Sequence, residues 1–94
     1  MTQTEIFAAI VRERVRQERA MRDGKFKYTC ACSAMSNSEK VLVLAEEFGE
    51  VCCAVLNVQN LSTDGPERSR LANELIEMAA VATAWLESLT ELQK

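Results

Sequence analysis

The chain has 94 residues, 48% of them hydrophobic, and its 14 acidic and 11 basic side chains leave a net charge of −3. That length predicts one domain spanning residues 1–94, and so mild a charge argues against nucleic-acid binding through a basic surface. With no histidine in the chain, His-based general-base catalysis, Ser-His and Cys-His nucleophile systems and the commonest zinc sites are excluded.

The first predicted helix runs from about Thr4 to Met21. Thr2 and Glu5 form a capping box at its start, Ile6, Ala9, Ile10 and Val15 supply a narrow apolar stripe, and Asp23-Gly24 stops it. Lys25 to Asn37 has no helical period and reads as a loop that packs through Phe26 and Tyr28. Ser36 and Glu39 make a second capping box. A second helix follows from about Ser38 to Leu61, with Val41, Leu44, Phe48, Val51, Val55 and Val58 at steps of three and four.

Ser62 to Pro66 is a compact turn; Pro66 suits a first helical position, and Asp64 with Glu67 can cap. The third helix runs from about Pro66 to Leu92. Leu71, Leu75, Met78, Val81, Trp85 and Leu89 mark its apolar face, and Ala72, Ala79, Ala80, Ala82 and Ala84 let another helix come close. Nothing reads as a strand. The fold class that follows is all-α, a helical bundle with two long antiparallel helices plus an N-terminal helix. A chain this short buries only about 60–65% of its unfolded surface. Its apolar surplus therefore predicts completion by oligomerisation, as a homodimer or a dimer of dimers.

The cysteines, Cys30, Cys32, Cys52 and Cys53, are spaced C-x-C and C-C rather than as the C-x-x-C pairs of zinc sites. They read as reduced thiols, with Cys52 or Cys53 a small filler on a buried face. The N-terminus is polar and helical in pattern, so no signal peptide is expected, and the apolar runs are too short to cross a membrane. A reducing cytoplasm is the expected location.

The second helix carries Glu46-Glu47-Phe48-Gly49-Glu50 and the third Asn73-Glu74-Leu75-Ile76-Glu77. Glutamates three apart share a helix face, with Cβ atoms about 5–6 Å apart. Glu47, Glu50, Glu74 and Glu77 lie at the border of the apolar faces, where four facing carboxylates need a cation. An all-oxygen set with several carboxylates suits Mg²⁺ or Mn²⁺, and Mg²⁺ also binds phosphate oxygens. The competing reading is a solvated acidic surface, since E-x-x-E pairs are common on exposed helices. The bases Arg12, Arg14, Arg16, Arg19, Arg22, Lys25 and Lys27 gather in the first third of the chain. An acidic site beside a basic segment fits an anion carried with a cation.

These two acidic blocks resemble those of the MazG-like all-α nucleotide pyrophosphohydrolases, whose pattern is E-E-x-x-E on one helix and E-x-x-D on the next. Leu42-Val43-Leu44-Ala45 before the first block is similar to that family's approach to it. Glu74 to Glu87, Glu13-Arg14-Val15-Arg16-Gln17 and Phe26-Lys27-Tyr28-Thr29-Cys30 resemble its short phage and bacterial members. Glu77 stands where the pattern usually has aspartate, one methylene shorter.

The resemblance implies Mg²⁺-dependent (or Mn²⁺-dependent) hydrolysis of a nucleoside triphosphate, NTP or dNTP, between the α and β phosphates. Glu47, Glu50, Glu74 and Glu77 would hold the metal, and Glu46 would hold or deprotonate the attacking water. Arg14 and Lys27, with Arg16 and Lys25 behind them, would contact phosphate. Gln17 and Asn73 would contact base or sugar. A non-catalytic helical oligomer that binds a nucleotide or a protein is the alternative. A related enzyme acting on phosphoribosyl-ATP or deoxyuridine nucleotides is a third reading.

Overall fold

Both capping boxes form as read from the sequence. Thr2 Oγ1 accepts from the Glu5 amide at 3.2 Å, and Glu5 Oε1 accepts from the Thr2 amide at 2.7 Å. Ser36 and Glu39 repeat the exchange at 3.1 and 3.0 Å. Each box satisfies amides that a helix start would leave unpaired. The computed structural model describes residues 1–56 and 65–90. It has three helices, α1 (Gln3–Arg22), α2 (Asn37–Leu56) and α3 (Pro66–Thr90), and no strand among the described residues. α1 stops where Asp23 caps it and Gly24 takes φ +81°, a conformation that suits glycine. Pro66 opens α3. The expected helix ends at Leu61 and Leu92, Val58 in the apolar stripe, Ser62 to Asp64 of the turn and the Asp64 cap lie outside the described residues.

α3 packs against both α1 and α2, while the backbones of α1 and α2 stay apart. α2 and α3 run in opposite senses. Trp85 Nε1 donates to Asn37 Oδ1 at 2.9 Å, and the buried Lys40 donates to Ser88 Oγ at 2.7 Å. Two turns further along α2, Glu47 meets Glu74 and Glu77 near the start of α3. The core centres on Cys30, Val81 and Ala84, covered by Met35, Val43, Leu44 and Trp85. Ala54 on α2 and Ala80 and Ala84 on α3 are fully buried, and no large side chain among the described residues is.

Three expectations change. The buried face of α1 is Ala9, Arg14, Gln17 and Ala20, whereas Ile6 and Val15 face outward at 38% and 46% exposure. A polar cluster, described below, takes the position that a hydrophobic stripe was expected to hold. The buried thiol is Cys30, not Cys52 or Cys53, because the loop after α1 folds back over Val81; all four thiols are free. Val41, Phe48 and Val55 of the expected α2 stripe are half-exposed, because α3 covers only one side of α2 in a single chain. No described helix is long and apolar enough to cross a membrane.

Candidate metal centre

The opposed directions of α2 and α3 bring the two acidic blocks face to face. One carboxylate oxygen from each of Glu47, Glu74 and Glu77 lies within 4.8 Å of the others. All three residues are half-buried. Glu50 stands outside this set, exposed, and acts on Glu47 only through its charge. Positions three apart on a helix are rotated by about 60° around its axis; α3 is turned so that Glu74 and Glu77 both reach the cluster, whereas α2 is turned so that Glu47 faces α3 and Glu50 faces solvent.

Buried carboxylates this close are unfavourable unless something compensates them. Burial, then the charges of Glu77, Glu74, Glu50 and Glu13, push the Glu47 carboxyl above its ordinary value. Burial, then Glu74 and Glu13, push Glu77 up, with Arg16 opposing. Glu47 Oε2 and Glu74 Oε2 are buried without a hydrogen-bond partner. Native structures rarely leave such atoms unpaired. A donor set of carboxylates alone, with no thiol or imidazole, fits a hard divalent cation, Mg²⁺ or Mn²⁺.

A cavity of about 290 Å³ adjoins the acids. Glu46 and Glu47 lie at one end, Glu13, Arg16 and Gln17 of α1 form a wall, and Phe26 and Tyr28 belong to the same lining. Met35, Val43 and Val81 make it apolar inside. The size is near the lower bound of about 300–1,000 Å³ for small-molecule sites. Arg16 donates to Glu13 at 2.8 and 2.6 Å, and its charge also acts on Glu77 and Glu47.

The other sequence-predicted residues are placed unevenly. Gln17 is in the cavity wall, and Glu46 is exposed at its acidic end. Arg14 is not in this wall. Its guanidinium is committed to Glu87 through two bonds of 2.8 Å, to Glu18 at 2.8 Å and to Gln17 at 2.8 Å. Those bonds, with Glu87 foremost, hold its pKa further up. Of the arginines expected to contact phosphate, Arg16 rather than Arg14 therefore borders the cavity. Lys27 is exposed, its ammonium 5.5 Å from the Tyr28 ring centroid, a cation–π contact. Asn73 is exposed and outside the cavity lining.

No protein family, curated protein or solved structure matches the chain. Two features escaped the sequence reading. Glu13 borders the cavity, and the 9, 13, 17, 20 spacing on α1 marks the row that turns inward. The Arg14–Glu87 pair spans most of the chain, and no local pattern signals it.

Proposed function

We propose that this chain is a Mg²⁺-dependent nucleotide pyrophosphohydrolase, cleaving an NTP or dNTP between the α and β phosphates to the monophosphate and pyrophosphate. The resemblance to the MazG-like enzymes supplies the reaction. The observation that carries the reading is the convergence of Glu47, Glu74 and Glu77, with two buried carboxylate oxygens lacking partners. When bound, the cation would orient and acidify a water and neutralise charge on phosphate oxygens. Glu47, Glu74 and Glu77 would hold it, and Glu50 adds negative charge beside them. Glu46 takes the proton of the attacking water at the acidic end of the cavity. Arg16, already beside the acids, meets the phosphates, and the cavity takes the nucleoside.

The working form proposed is a homodimer or a dimer of dimers. Phe7 and Val11 on α1, Val41 and Phe48 on α2, and Leu75 and Leu86 on α3 are each 48–61% exposed, a large apolar surplus for a domain this small. Glu50 outside the converging set and the longer Glu77 favour, as a second reading, a chain that binds nucleotides without turning them over.

One assay separates the two. Pyrophosphate release is measured on a panel of NTPs and dNTPs with Mg²⁺, with Mn²⁺ and with EDTA. Turnover that needs metal and falls at least about 100-fold in Glu47→Gln is expected for the enzyme. A folded sample inert on every nucleotide would rule the enzyme out and leave the binding reading.

A further inference from the structure

Gln17 is 9% exposed and forms part of the cavity wall. Its Oε1 accepts from Arg14 Nη1 at 2.8 Å. A guanidinium has only donors, so the carbonyl end of the Gln17 amide must be the end that faces Arg14. Arg14 cannot swing away, because Glu87 grips it through two bonds and Glu18 through a third. Arg14 lies outside the cavity lining, on the other side of Gln17. The end of Gln17 left for the cavity is its NH₂ group, which has no partner among the described residues.

The neighbouring polar side chains of that wall are already engaged. Thr29 donates to Glu18 at 2.7 Å and accepts from the Ala31 amide at 3.3 Å, and Glu13 is held by Arg16. Around them the cavity offers the aromatic Phe26 and Tyr28 and the apolar Met35, Val43 and Val81, surfaces suited to a flat heterocycle.

We infer that Gln17 reads the base of the bound nucleotide as a hydrogen-bond donor, with Arg14 as the positioning residue that fixes its polarity, so that the site prefers bases with a carbonyl over bases with an amino group at the edge away from the sugar. This rests on the nucleotide reading above. Guanine and thymine carry acceptor oxygens at that edge, and hypoxanthine and uracil share them; adenine and cytosine carry amino donors. An amino base would set donor against donor in a desolvated wall and leave both unpaired, a loss of about tenfold or more in affinity.

The test titrates UMP against CMP, and IMP against AMP, into the full chain with Mg²⁺, by calorimetry. Wild type is expected to bind UMP and IMP about tenfold more tightly than CMP and AMP. Gln17→Glu keeps an acceptor for Arg14 but turns an oxygen to the cavity, so the preference should reverse. Each readout is a ratio within one variant, so partial unfolding lowers both ligands alike and leaves it unmoved. Equal binding of the two classes, or a preference that survives Gln17→Glu, would overturn the base-reading role while leaving nucleotide binding intact. No binding of any of the four would overturn the nucleotide reading, and this inference with it.

Discussion

Burial, then the Glu77 and Glu74 carboxylates, raise the Glu47 carboxyl above the ordinary 4.5, and burial with Glu74 and Glu13 raises Glu77. A raised folded-state pKa means that the folded chain takes up a proton more readily than the unfolded one. The stability this confers is full below about 4.5 and is lost as pH rises through the raised values. In EDTA, wild type should therefore melt a few degrees below Glu47→Gln near about pH 7, and the gap should close by about pH 4. The lowered acids Glu5, Glu18 and Glu39 titrate alike in both proteins and cancel in the difference. Near neutral pH, Mn²⁺ should raise the melting temperature of wild type and leave Glu47→Gln unmoved. Equal metal responses in the two proteins would mean that Glu47 is not a ligand. The acids themselves were legible, since Glu47, Glu74 and Glu77 were picked out from spacing and neighbours alone. That Glu50 would turn away was not, because spacing fixes angles within a helix and not the angle at which two helices meet.

On α2 the block Glu46-Glu47-Phe48-Gly49-Glu50 contains a glycine in a helix interior. A Cβ added at Gly49 meets nothing within 4 Å. Gly49→Ala should then stabilise by about 0.5–1 kcal/mol, because glycine loses more backbone freedom on folding. Urea denaturation checks this, and a fall instead would place a neighbouring chain against Gly49. Helix starts were legible to one residue at Gln3 and Asn37, where Ser or Thr precedes Glu by three. The inner face of α1 was not. Periodicity seeks apolar residues, and here the interior row holds Arg14 and Gln17: Glu87 and Glu18 meet the charge of Arg14, and the Gln17 carbonyl accepts from Arg14.

For the whole molecule, the unburied apolar surface is the main consequence of so few residues. Val41, Phe48 and Val55 recur every seven residues on α2 and are 49%, 55% and 41% exposed. That is the spacing of a helix seam awaiting a partner. Sedimentation should find a dimer or larger assembly, and Val41→Asp, placing a charge in that seam, should shift it toward monomer and lower its melting temperature. A monomeric wild type at micromolar concentration would remove the oligomer from the proposal.

By itself the sequence determined three helices, the capped starts of α1 and α2, the lack of strands among the described residues and the Glu74–Glu77 pair on α3. All of these follow from interactions within a few residues of one another. Tertiary structure alone decided that Glu47 joins Glu74 and Glu77 without Glu50, that Arg14 is spent on Glu87, and that Cys30 enters the core. It also decided that Arg16 and Gln17 wall a cavity against the acids. Those outcomes depend on the relative placement of helices and loop, set by packing between residues far apart in the chain, which no local pattern encodes.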